Sequence, residues 1–181
     1  MIIEKIIEDL EKRKKFQERF AEKEIPSKTV LLNEGEISTN IYIIKNGCLR
    51  EWFNKDGKDI TFQFFFEGQP VASIDSFMNQ EPSIFTIESV EPTTYLSISK
   101  VEFEKLLDTY SEFKDGLMDF IYQRFRNYEQ LFLSRIKDTP QERYKDLIKN
   151  HPEIIKRAPQ HYIASFLGIT PTSLSRIRNR I

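Results

Sequence analysis

The sequence predicts an α+β fold: a small all-β body, a long helix, and a helical hairpin at the C-terminal end. Three observations carry that prediction. Between residues 28 and 98, six short runs rich in β-branched and aromatic residues are separated by turn signals. On either side of that stretch, apolar residues recur at the three-and-four spacing of a helix face. The last 22 residues, QHYIASFLGITPTSLSRIRNRI, divide into two short amphipathic segments about a glycine.

In chain order, residues 2–24 read as a helix, with Ile2, Ile3, Ile6, Ile7 and Leu10 in a stripe that Phe16 and Phe20 extend. Its EKRKK run reads as a solvated face, and Pro26 ends it. The β runs follow: TVLL (29–32), IYIIK (41–45), CLREWF (48–53), DITFQFFF (59–66), SIFTIESV (83–90) and TTYLSIS (93–99). Asn33–Gly35, Asn46-Gly47, Asp56-Gly57 and Glu67-Gly68 mark the turns, and Asn54–Gly57 predicts a hairpin. Strands so closely spaced make a sandwich or small barrel rather than a βαβ sheet.

Helix returns over residues 99–136. Ser99 followed by Glu102 is a capping-box pattern. VEFEKLLDTY makes a short helix, and Phe113, Leu117, Phe120, Ile121, Phe125, Tyr128, Leu131 and Phe132 form one broad stripe on a longer one. A stripe this long predicts a parallel homodimer through residues 113–136, with packing on the chain's own barrel as the alternative. Asp138-Thr139-Pro140 is the linker; Thr139 caps the next helix, with Pro140 at its first position and Glu142 in support. QERYKDLIKNHP and EIIKRAP then lead to the hairpin. The expected division is 1–98, helix and β body; 99–137, connecting and dimerisation helices; 138–181, terminal helical domain.

In the hairpin, Ala164 is small, Gly168 supplies a positive-φ turn, Thr170 caps the second helix and Pro171 opens it. Leu174 and Ile177 give that helix a buried side. The opposite side carries Thr172, Ser173, Ser175, Arg176, Asn179 and Arg180, short hydrogen-bonding groups and guanidinium forks of the kind that read base edges and grip phosphates. This is the pattern of a helix-turn-helix that meets double-stranded DNA. Arg176 is the candidate for a base or phosphate contact, Arg178 and Arg180 for phosphates, and His161 and Thr170 for the DNA backbone at the two helix starts. The hairpin's packing is expected from Tyr144, Leu147, Ile148, Ile163, Phe166 and Leu167.

Charge supports that reading. The net charge is −1, but residues 135–181 hold ten Lys and Arg against four acids, and the preceding 134 hold 17 against 24. A basic tail on an acidic body is the footprint of a nucleic-acid reader joined to something else. No apolar run approaches a membrane span, and the first residues have no signal-peptide pattern, so a cytoplasmic location away from membrane is expected. The single cysteine, Cys48, agrees with a reducing compartment. It is too few for an iron–sulfur cluster, and it reads as a small apolar strand residue.

An N-terminal helix, a β-roll, a long helix and a C-terminal helix-turn-helix together resemble the cyclic-AMP receptor protein family, also called Crp/Fnr. Gly35 and Tyr42-Ile43-Ile44-Lys45-Asn46-Gly47 look like its G-x6-Y-x-I-x-x-G signature, and ITPTSLSRIRNRI resembles its recognition helix. The resemblance implies a cyclic-nucleotide-binding-like roll (a double-stranded β-helix) and a winged-helix-like reader. It also implies a dimeric, sequence-specific transcription regulator, with DNA and RNA polymerase as partners.

Members of that family that bind cyclic nucleotides hold the ribose with a Gly-Glu pair and the phosphate with an Arg-Ser/Thr pair. Aligned from Gly68, those positions hold Ser73 and Ser83-Ile84 here, and residues 68–90 contain no Lys or Arg. A buried phosphate without a charge-assisted partner is costly. No response to cyclic AMP is expected, no cofactor or metal is predicted, and Ser73, Ser83, Ile84 and Phe85 mark the position of any other effector. An apolar pocket of Phe62, Phe64, Phe66, Phe77 and Phe85 competes with reading those rings as core.

An enzyme on the roll would need a histidine–carboxylate cluster. Residues 28–98 contain no histidine, and G-x-S-x-G, P-loop and Cys-x-x-Cys motifs are absent from the sequence. The remaining alternative is a ligand-binding or protein-interaction module without DNA binding.

Overall fold

Two four-stranded antiparallel sheets enclose a core in the computed structural model, which describes residues 18–180. One sheet runs in the order β1 (Ala21–Ile25), β8 (Thr93–Ser99), β3 (Asn40–Asn46), β6 (Pro70–Val71). The other runs β2 (Val30–Leu32), β7 (Thr86–Ser89), β4 (Leu49–Lys55), β5 (Lys58–Phe65). Leu32, Tyr42, Ile44, Leu49, Phe65, Val71, Ile87 and Tyr95 come from seven of these strands and fill the space between the sheets. Their spacing follows the two-residue period of a strand. The β4–β5 hairpin closes on Asp56-Gly57, both at positive φ, the turn whose twist suits antiparallel strands. Gly47 also has positive φ, and a Cβ there would stand 2.4 Å from Thr93 Oγ1, so the signature glycine is sterically required.

Three expectations need correction. The helix predicted over residues 2–24 lies mostly outside the described residues, and its last part, Ala21–Ile25, is a strand paired residue by residue with β8. AEKEI shows no strand alternation; backbone pairing at the sheet edge decides its state. The run 83–90 is a strand only over Thr86–Ser89, because Ser83 pairs its backbone with Gly35 and Glu36 instead. Cys48 precedes β4 rather than lying in it. A short helix, α1 (Ile74–Asn79), begins after Ser73.

β8 passes directly into α2 (Lys100–Thr109), capped by Ser99, which accepts a hydrogen bond from Glu102 N–H. The reciprocal half of the expected capping box is replaced: the Glu102 carboxylate accepts from Arg19 at 2.6 Å and Lys105 at 2.5 Å. Phe77, Phe103 and Phe113 stack edge to face at 5.5 and 5.7 Å and fix α2 against the roll. Next comes α3 (Ser111–Lys137), 27 residues and about 40 Å long.

The apolar stripe of α3 divides. Phe113 and Leu117 pack on the roll's own cluster, Phe120 and Leu131 are half-buried, and Ile121, Phe125, Tyr128 and Phe132 remain exposed, as do Met118, Tyr122, Leu133 and Ile136 beside them.

The last four helices are α4 (Pro140–Asn150), α5 (Pro152–Arg157), α6 (Gln160–Phe166) and α7 (Pro171–Arg178). The capping box at Thr139 and Glu142 is complete, with Pro140 in the first turn. Tyr144, Leu147, Ile163 and Leu167 are buried as expected, and Phe166 is half-buried. Ile148, at the margin of the face that carries Tyr144 and Leu147, is 41% exposed and falls outside that core. Cys48, Phe64, Phe66 and Val90 of the roll join this same cluster, so roll and hairpin share one core.

Candidate functional site

The hairpin is built as its residues predict. Gly168 has φ +69° at the turn. Thr170 Oγ1 accepts from Ser173 N–H at 3.1 Å and caps α7. Leu174 is 1% exposed and Ile177 packs beside it, which turns the other face outward. Thr172, Ser175, Arg176, Arg178 and Arg180 are all exposed. Ser173 is half-buried, and its hydroxyl lies 3.0 Å from Thr170 Oγ1, so these two side chains serve the cap. His161 is exposed near the start of α6, its ring 4.1 Å from that of Tyr162.

Beside the shared apolar core, a polar junction ties the hairpin to the roll, and the sequence pattern does not announce it. Arg50 of β4 points outward and is 1% exposed. Its guanidinium donates to Glu88 at 2.6 Å, to Asp59 at 3.3 Å and to Thr61 Oγ1 at 2.9 Å, and lies 3.6 Å from the Tyr162 ring centre. Glu88 is thereby neutralised on the outer face rather than facing an effector. The strand register pairs Arg50 with Glu88, and that cross-strand pairing is the signal that locates the cluster.

Nearby, Ser165 of α6 accepts from Thr61 N–H and donates to Asp59 O, both at 2.9 Å, which satisfies part of the open edge of β5. Arg157 of α5 donates to Glu67 at 2.7 Å and also to Glu91. Its hydrogen bond is the main cause that holds the Glu67 carboxyl down at about 2.

Inside the roll, the structure brings Ser73, Ser83 and Phe85 together. Ser83 Oγ lies 2.9 Å from Ser73 Oγ and donates to Phe85 O at 2.7 Å. Ile84 does not belong with them, because it is 77% exposed and projects from the turn. The five phenylalanines do not form one pocket. Phe64 and Phe66 lie under the hairpin, Phe77 against α2, and Phe62 against Phe85 at 5.2 Å.

Glu51 shares the inward face of β4 with Leu49. It is 1% exposed, its Oε2 has no hydrogen-bond partner, and burial pushes its carboxyl up to about 8 against the opposing pull of Arg124. Arg124 itself donates to Tyr128 OH at 3.3 Å and lies 4.4 Å from the Phe65 ring centre.

The cassette residues offer a cyclic phosphate no cationic partner. The cassette supplies two mutually satisfied hydroxyls and no cation, and the roll adds a buried acid. Burial likewise pushes the Cys48 thiol up to about 12, so it is an inert packing residue. No group of His, Cys, Asp and Glu among the described residues could hold a metal, and no helix among them is long and apolar enough to cross a membrane.

Comparison with known proteins agrees with this architecture. Residues 22–110 match the cyclic nucleotide-binding domain family. No curated protein matches the chain. Among solved structures, FixK2 from Bradyrhizobium japonicum is similar at 17% identity and a TM-score of 0.75, over 89% of this chain and 83% of that one. The c-di-GMP responsive global regulator CLP of Xanthomonas campestris is similar at 13% identity and a TM-score of 0.70, over 95% and 91%. The catabolite activator protein of Thermus thermophilus is similar at 15% identity and a TM-score of 0.63, over 99% and 86%. Residues 22–110 are thus similar to a cyclic nucleotide-binding domain, and the roll, long helix and helical tail together share the fold of these proteins.

Proposed function

We propose that this chain is a dimeric, sequence-specific DNA-binding transcription regulator that does not respond to cyclic AMP. The observation that carries the proposal is α7: Leu174 anchors one side, while Thr172, Ser175, Arg176 and Arg180 stand free on the other and Arg178 is exposed at the helix end. In this reading residues 138–181 read DNA, with His161 and Thr170 at the helix starts and Ser173 steadying the cap. Residues 99–137 dimerise through the exposed apolar side of α3, and residues 1–98 sense an effector near Ser73, Ser83 and Phe85. Two copies would span two half-sites of an operator. The absence of a cassette cation supports the exclusion of cyclic AMP.

The test is fluorescence anisotropy on duplexes from the DNA flanking the chain's own gene, at low ionic strength. Arg176→Ala is expected to weaken binding to a cognate duplex by about 1–3 kcal/mol. Affinity for that duplex should also fall steeply with salt through counterion release. Equal binding by the variant removes α7 as the reader, and no binding to any duplex removes the proposal.

A further inference from the structure

Where α3, β5 and the hairpin meet, they enclose a cleft of about 290 Å³, apart from the cassette serines. Its walls differ in character. Phe64, Leu131, Leu147 and Phe166 give it an apolar side, and Arg135 and Arg143 give it a cationic one, while a third lining arginine, Arg124, is held by Tyr128 OH.

The two arginines are linked to backbone rather than to acids. Arg135 donates to Phe166 O at 2.8 Å, and Arg143 donates to Leu167 O at 2.8 Å and Asp138 O at 2.6 Å. Neither has an acid in ion-pair range among the described residues. Arg143 Nε is buried with no partner, an N–H that folding leaves unsatisfied. Burial, and then the charge of Arg143, hold Arg135 below the ordinary arginine range. Two carboxylates also line the cleft: Asp146 accepts from Asn150 at 2.6 Å, and Glu153 lies 3.5 Å from His151, which lines the cleft as well.

We propose that this cleft binds a small organic anion with an apolar body. Its carboxylate or similar oxyanion head meets Arg135 and Arg143, and its body lies on Phe64, Leu131, Leu147 and Phe166. An anion there relieves the repulsion between two guanidiniums that have no acid partner among the described residues. It touches the long helix, the roll and the hairpin at once, so its binding energy favours the arrangement in which all three meet. The site is independent of whether α7 reads DNA, and it is tested without DNA.

The probe is 8-anilinonaphthalene-1-sulfonate, titrated by fluorescence into the full chain, beside its uncharged relative N-phenyl-1-naphthylamine. Wild type is expected to bind the sulfonate at one saturable site and the uncharged probe about tenfold more weakly. Arg135→Gln should weaken the sulfonate about tenfold and leave the uncharged probe unchanged. Ser134→Phe, which fills the cleft and keeps both arginines, should weaken both probes. Thermal melts establish that each variant is folded. If Ser134→Phe does not fold, Arg135→Gln and the probe pair still decide the matter. Equal affinity for the two probes, an unaltered sulfonate affinity in Arg135→Gln, or no saturable sulfonate binding overturns the site.

Discussion

Arg50 and Glu51 are consecutive in β4 and each is about 1% exposed, yet their surroundings are opposite in kind. Outward, Arg50 meets Glu88, Asp59, Thr61 and the face of Tyr162. Inward, Glu51 keeps one oxygen without a partner, and burial holds it near neutrality. The outer face of the strand is a finished polar junction between roll and hairpin. The inner face is unfinished. Burial alone therefore says little about what a charged residue does; its set of partners says more. A buried ion with every group engaged fixes an arrangement, whereas a buried acid with a free oxygen can still answer to pH or to a hydrogen-bond donor.

The contrast breaks most visibly at Arg50. Arg50→Leu leaves Glu88 buried and uncompensated, so unfolding in urea should show a loss of about 3–5 kcal/mol. Replacing Glu88 by leucine as well should recover most of it, because no lone charge then remains. A single variant as stable as wild type would mean that the junction is not closed.

Glu51→Gln sharpens the other side. Burial raises the folded-state value to about 8 from an ordinary 4.5, so the protonated form is the one the fold favours. Its contribution is full below about pH 4.5 and is lost as pH rises through about 8. Glutamine keeps the shape without the charge. The stability of Glu51→Gln relative to wild type should therefore climb from near zero at low pH to on the order of 5 kcal/mol above pH 8. A flat difference across that range would show that Glu51 has the ordinary carboxylate value after all.

The smallest effect is expected at Ser165. Ser165→Ala removes the partner of Thr61 N–H and should cost about 1 kcal/mol, with faster hydrogen exchange at that amide. Unchanged exchange would mean that the edge of β5 does not depend on the hairpin.

Much of the fold is legible in the residues, because its signals are local. Asn46-Gly47 and Asp56-Gly57 mark turns by backbone chemistry, and Thr139-Pro140 with Glu142 marks a helix start within four positions. β1 is not legible, since AEKEI suits a helix equally well and acquires its state from β8 across 70 residues of chain. The exposed face of α7 could be anticipated from the spacing of Leu174 and Ile177. The Arg50 junction could not, because Glu88, Tyr162 and Asp59 come from three separate elements that only the folded chain assembles. The split of the α3 stripe is of the same kind: Phe113 and Phe125 are alike in sequence, and the end of the roll takes the first and leaves the second bare.

The core that Phe64 and Phe66 share with Tyr144, Leu147 and Leu167 bears on how this molecule can be dissected. Severing the chain at Asp138 would not yield two tidy modules. It would bare aromatic rings on both pieces, and each fragment would tend to clump in solution. Studies of the roll or the helical tail in isolation would report on damaged pieces, whereas point substitutions in the intact polypeptide keep that seam sealed.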